Sequence, residues 1–155
     1  MDKKNILIIV LVIVVIALVA FIAMSFINIT PQNNAVIYNN SIDGVGTFNS
    51  TNVTNFKLSN TSNDQQTDYK ANDTIAQVST TSSSAAVEIT ISEADKVNDS
   101  AKGHTIYKNT ANMGAHKGEV RYFSILKDND KQRYVMISTA DYNLTCMMVD
   151  TFKFY

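Results

Sequence analysis

Cys146 is the single cysteine of the chain, and His104 and His116 are its two histidines. Any thiol nucleophile paired with an imidazole base would have to be assembled from these three residues. Cys146 lies between Thr145 and Met147, in a stretch with helical spacing, and reads as a structural or partly exposed thiol. The histidines are twelve positions apart, with no cysteine or carboxylate at zinc-ligand spacing, and read as surface or turn residues. Gly114-Ala115-His116-Lys117-Gly118 has the glycines of a phosphate loop but not its Gly-Lys-Ser/Thr ending or following helix. It reads as a turn before a strand. Asp128-Asn129-Asp130 lacks the glycine and distal glutamate of a calcium loop, and reads as a solvated hairpin turn. No catalytic, metal or cofactor site is expected, and the chain is not read as an enzyme.

The pattern with most chemical content is Asn-x-Ser/Thr, the acceptor for N-linked glycans. It starts at Asn28, Asn39, Asn49, Asn52, Asn60, Asn72, Asn98 and Asn143. Asn28-Ile29-Thr30 is followed by Pro31 and abuts an apolar run, which leaves the other seven as candidates. Chance competes with this reading, because a chain with 17 asparagines and many serines and threonines generates such triplets unaided. The lone cysteine excludes an intramolecular disulfide framework and leaves an intermolecular bridge or a free thiol.

What would position these residues follows from where the apolar side chains lie. The 155-residue chain is 45% hydrophobic and 17% charged, with 13 Lys+Arg against 14 Asp+Glu. This near-neutral balance argues against a nucleic-acid partner bound through bulk charge. From Ile6 to Ile27 there are 22 consecutive residues, of which Ser25 alone is polar. As a helix rising ~1.5 Å per residue they span ~33 Å, close to the ~30 Å hydrocarbon core of a bilayer. Lys3 and Lys4 precede the run, and no Lys or Arg follows it until Lys57. The positive-inside bias then leaves residues 1–5 in the cytoplasm and exports the remainder. The expected organisation is a cytoplasmic tail at 1–5, a single-pass signal anchor at 6–27 and a juxtamembrane linker at 28–45. An extracytoplasmic β-rich domain follows at 46–155, with a polar, loop-like or disordered stretch at 59–84. Cleavage after Ser25 is the rival reading, although the apolar run exceeds the 7–15 residues of a signal h-region.

Between Asn49 and Ser84, 26 of 36 residues are Ser, Thr, Asn, Asp or Gln, which offers little apolar surface to offset ordering. Weak strand signals appear at 46–48, 55–58, 74–78 and 105–108. Ala86–Ile91 reads as a stronger strand, with Val87, Ile89 and Ile91 alternating with Glu88 and Thr90. The strongest signal is the pair Glu119–Leu126 and Arg133–Thr139, joined by the polar loop 127–132 as a hairpin. Tyr122 and Leu126 are expected on one face, and Phe123 and Ile125 on the other. Asp141 is placed to cap a short helix carrying Leu144, Met147, Met148, Thr151 and Phe152 at helical spacing. Phe123, Ile125, Tyr134, Met136, Met148 and Phe152 are expected to share one core, with Tyr69 outside it. The fold class is α+β: an N-terminal transmembrane helix, then a small antiparallel sheet domain with a short C-terminal helix.

The order of strand, polar loop, strand ending Tyr134-Val135-Met136-Ile137-Ser138-Thr139-Ala140, short helix and Thr151-Phe152-Lys153-Phe154 resembles the carboxy end of PsbP/Mog1-like domains. It is also similar to small membrane-anchored surface proteins of methanogenic archaea. The resemblance covers residues 101–155, implies a non-enzymatic accessory module, and carries over no functional residue.

Two functional classes follow from these features. The first is a non-catalytic cell-envelope protein whose outer domain meets the cell wall, a surface layer or another membrane protein. The second is an accessory subunit or ligand sensor acting through the basic half, residues 101–155, which carries 8 basic and 5 acidic side chains. A clustered, concave surface of Lys102, Lys108, Lys117, Arg121 and Arg133 would favour the second, and scattered positions the first.

Overall fold

The computed structural model describes residues 35–60, 62–63, 65–71, 76–111 and 117–155. Among them no helix is long and apolar enough to cross a membrane, and the apolar run 6–27 lies outside them. The compact unit is Val36–Tyr155, so it begins inside the segment expected as a linker. It is an α+β unit of antiparallel strands and two short helices.

The sequence pattern is followed most closely at the carboxy end. Strands β8 (Val120–Asp128) and β9 (Arg133–Thr139) form the expected hairpin. Tyr122, Ser124 and Leu126 take one face, while Phe123 and Ile125 take the other, as period-2 alternation requires. After β9, the side chain of Asp141 accepts a hydrogen bond from the Leu144 amide at 2.8 Å and starts the helix Tyr142–Thr151. The last strand, β10 (Lys153–Phe154), pairs with β2 (Gly46–Thr51), which pairs in turn with β1 (Ile37–Ile42). This three-stranded sheet needs Gly46. A Cβ there would lie 2.4 Å from the Lys153 carbonyl oxygen and 2.8 Å from the Phe152 ring.

The larger sheet has seven strands in the order β3-β4-β5-β9-β8-β7-β6. Its outer strands, β3 (Lys57–Leu58) and β6 (Asp95–Lys96), have two residues each. Short edges of this kind give another chain little backbone to pair with. Inside them stand β4 (Gln66–Ala71), β5 (Ala76–Thr81) and β7 (Tyr107–Thr110). The polar stretch 59–84, expected as loop or disorder, therefore contains two full strands. Tyr69, Ala71, Ala76 and Val78 supply the buried or half-buried side chains that local composition concealed. Tyr69 packs against the core rather than lying outside it.

Ala86–Ile91 is not a strand. Ser84–Ser92 form a helix, and the Ser83 hydroxyl caps it by accepting from the Ala86 amide at 3.2 Å. The reason is topological. β5 already has β4 on one side and β9 on the other, so the segment leaving it finds no free edge. It must pass three strands to reach β6, and a helix satisfies its own backbone on the way. Val87, Thr90, Ile91 and Ala94 then form a half-buried stripe at i, i+3, i+4 and i+7. In chain order, Ser84–Ser92 is α1 and Tyr142–Thr151 is α2.

The main core lies between the seven-stranded sheet, α2 and the three-stranded sheet. Val78, Leu126, Val135 and Ile137 meet Met148 and Val149 of α2, together with Ile42, Val45, Phe48 and Val53. Phe48 is 1% exposed and sits between two rings, edge-on to Phe56 at 5.0 Å and stacked on Phe152 at 5.9 Å. The single core expected from sequence is thus divided. Met148 and Phe152 belong to this cluster, while Phe123, Ile125, Tyr134 and Met136 occupy the opposite sheet face, the last three under α1 and Phe123 stacked on Tyr107. A strand with apolar residues on both faces feeds two clusters, and sequence adjacency cannot say which partner covers each.

Candidate functional site

The sequons divide by how the fold treats their two chemical groups. Asn39, Asn52, Asn60, Asn98 and Asn143 are exposed, Asn49 is half-buried, and Asn72 lies outside the described residues. Asn28 also lies outside them. Asn39 and Asn49 stand directly opposite each other across the β1–β2 pair, so their side chains project from one face. The hydroxyls two positions on are treated differently. Ser41 is exposed, and its oxygen lies 2.5 Å from the Tyr155 hydroxyl. Ser100 is buried and donates to Asp150 at 2.5 Å. Thr145 is 0% exposed, lies 2.8 Å from the Thr139 hydroxyl, and donates to the Asp141 carbonyl at 3.0 Å. The sequons at Asn98 and Asn143 therefore show an outward amide with a locked hydroxyl.

Cys146 is half-buried on α2, one turn after Tyr142. Burial pushes its thiol pKa up, and the hydrogen bond with Tyr142 offsets this only in part. Less thiolate at neutral pH makes it a poor nucleophile. His104 is half-buried, with its backbone amide donating to the Ser100 hydroxyl at 3.0 Å, and His116 lies outside the described residues. Gly118 adopts φ +88° in the turn before β8, the conformation for which a glycine is suited. Among the described residues no group of three or more His, Cys, Asp or Glu side chains could hold a metal ion. Asp128 differs from its expected role as a solvated turn residue. It is 3% exposed and paired with Arg133, because the hairpin strand runs two residues further than its apolar pattern.

Of the five basic residues whose grouping would mark a ligand surface, Arg133 and Arg121 are engaged within the fold. Arg133 bonds Asp128 and the Gly44 carbonyl, holding the hairpin to the β1–β2 turn. Arg121 is buried and donates to the Ser138 carbonyl at 3.2 Å. Burial lowers its pKa from the ordinary value, against the opposing charge of Glu119. Lys102 sits by Asp150, half-buried Lys108 is on β7, and exposed Lys117 precedes β8. Two of the five thus serve the fold.

A surface that sequence reasoning missed lies where β2 ends against the first turns of α2. Thr51, Val53, Leu144 and Met147 line a groove of ≈ 390 Å³, with Asn52, Asp141 and Asn143 completing its wall. No family model, no curated protein and no solved structure matches the chain. The signal that could have found the groove is Leu144 and Met147 at i and i+3, a spacing that marks the helix but does not say what its apolar side meets.

Proposed function

We propose that the chain is a single-pass, membrane-anchored envelope protein with a non-catalytic outer domain. The segment 6–27 holds it in the cell membrane with residues 1–5 in the cytoplasm. The β-rich domain outside contacts cell-wall or surface-layer components, or another membrane protein. Asn39 is its foremost glycan acceptor.

The observation that carries this reading is how the domain spends its reactive and charged groups. Arg121 and Arg133 are engaged within the fold, and the Cys146 thiol is shifted toward its unreactive protonated form. The sequon residue Asn39, by contrast, is exposed together with its hydroxyl partner Ser41. The engagement of Arg121 and Arg133 within the fold weighs against the accessory-subunit or ligand-sensor alternative. The resemblance to membrane-anchored surface proteins and to non-enzymatic accessory modules supports the same conclusion.

Crosslinking in native membranes, followed by identification of the joined species, tests it. An envelope component recovered through the outer domain is the expected result. A defined small-molecule conversion by the purified chain would overturn the reading. So would labelling of a cysteine placed at position 2, but not at position 60, by an impermeant reagent on intact cells.

A further inference from the structure

At the end of the domain where the chain enters β1, a continuous apolar surface is left bare. Val36 is 49% exposed and Ile37 is 62% exposed. Ile37 stands opposite Thr51 in the β1–β2 register, and Val36 is tied to Asn52 by a backbone hydrogen bond of 2.9 Å. Beyond Thr51 opens the groove floored by Val53, Leu144 and Met147, whose lining contains no Lys or Arg.

We propose that this surface seats on the lipid bilayer, with Ile37, Leu144 and Met147 entering the interfacial layer. The inference rests on the anchor reading, and chain length selects the occupant. Nine residue steps separate Ile27 from Val36, and at full extension they reach at most ~32 Å. The unit Val36–Tyr155 has 120 residues, for which a compact body has a radius of gyration of ~14 Å and a width of ~35 Å. A tether shorter than the domain is wide keeps the pole it enters nearest the membrane. That pole is the apolar one. A soluble macromolecule would have to enter the gap between domain and bilayer, whereas lipid already fills the far side of it.

The geometry carries a consequence for the sequons. Asn52 and Asn143 stand on the wall of the groove, so seating brings both to the headgroup layer. A glycan on either would hold the apolar surface off the bilayer, and seating and modification at these two positions exclude each other.

The chain contains no tryptophan, so one substitution creates a single reporter. The full chain is reconstituted in phosphatidylcholine vesicles, with or without brominated acyl chains, as Ile37→Trp and separately as Ile89→Trp. Ile89 is 59% exposed on α1 and serves as the comparison. Ile37→Trp should emit at shorter wavelength and be quenched several-fold more by brominated lipid than Ile89→Trp. Added salt should change neither, because no charge pairing is involved. Adding Leu144→Glu should reduce the quenching at position 37. Vesicles that float with the protein while both reporters emit as in water would overturn the seating and leave the anchor intact. Failure of the chain to float would overturn the anchor reading itself. A blue shift at position 37 that grows with protein concentration, without quenching by lipid, would assign the surface to a second copy and overturn the proposal.

Discussion

Arg133 and Asp128 close the β8–β9 hairpin through a 2.9 Å contact from Nε to Oδ2. Arg133 Nη2 also donates to the Gly44 carbonyl at 2.6 Å, so one side chain fastens the central hairpin to the β1–β2 turn. Burial works to raise the Asp128 pKa. The hydrogen bonds from Arg133 and the Lys131 amide, with both positive charges, outweigh it and hold the value below that of an ordinary aspartate. The stabilisation is complete above the unfolded carboxyl pKa of ~3.9 and is lost as pH falls through the lower folded value. Asp128→Asn should therefore start from a lower Tm at neutral pH and show a flatter profile across the acid window. Thermal unfolding at a series of pH values checks this; parallel profiles for the two proteins would remove Asp128 from the acid transition.

Phe48 and Phe123 belong to clusters on opposite sides of the seven-stranded sheet. Each is nearly fully buried, Phe48 against Phe56 and Phe152, and Phe123 against Tyr107. Truncation of either to alanine should cost ~3–5 kcal/mol through lost burial and a residual cavity. The milder Phe48→Leu and Phe123→Leu should combine additively to within ~0.5 kcal/mol, because they share no partner. Phe48→Leu and Phe152→Leu, whose rings stack, should not. Urea unfolding of the singles and doubles decides between one core and two.

Helix α1 has no fully buried side chain. Removing its cap by Ser83→Ala should cost the helix ~1 kcal/mol. The global unfolding midpoint should barely move, since losing the cap frays only the first turn of the helix. Hydrogen exchange should show amides 87–92 opening faster while those of β8 and β9 keep their protection. Loss of protection in β8 and β9 alongside α1 would mean the helix is integral to the sheet.

The Cys146 thiol should be alkylated by iodoacetamide more slowly at pH 7 than a cysteine in the urea-unfolded chain. Burial raises its pKa and limits access. The rate should climb as pH rises past the ordinary thiol value. Equal rates in the folded and unfolded chains would mean that the surroundings of Cys146 in α2 open freely.

The locked hydroxyls at Ser100 and Thr145 set an order for modification. Because the hydroxyl is part of the recognised triplet, a purified oligosaccharyltransferase should glycosylate Asn98 and Asn143 on the unfolded chain and lose both on the folded one. Asn39 should decline less, since Ser41 is exposed. Gel mobility of Asn→Gln variants at each position reads the result, and equal loss at all three would make burial of the hydroxyl irrelevant.

Several elements were legible in the sequence because their causes are local. The β8–β9 hairpin follows from alternating side chains around a polar turn, and α2 from Asp141 at the cap with Met147 and Met148 at i+3 and i+4 from Leu144. The outward asparagines of most sequons needed only the triplet, since polar amides in turns and on strand faces stay in water. Pairing decided the rest. β4 looks like disordered chain, and the weak strand signal at 74–78 becomes the full strand β5 only when Val78 and Ala76 are placed against Ile137 and Thr139 of β9. Ala86–Ile91 alternates like a strand but becomes a helix because both edges of β5 are taken. The apolar pole arises only when Ile37 meets Thr51 and α2 closes beside them. Residues far apart in sequence compete for the same sheet edges and faces, and a backbone group satisfied by one partner is closed to the next. Periodicity within a segment therefore records which faces are apolar, while the allocation of edges and covers belongs to the whole chain.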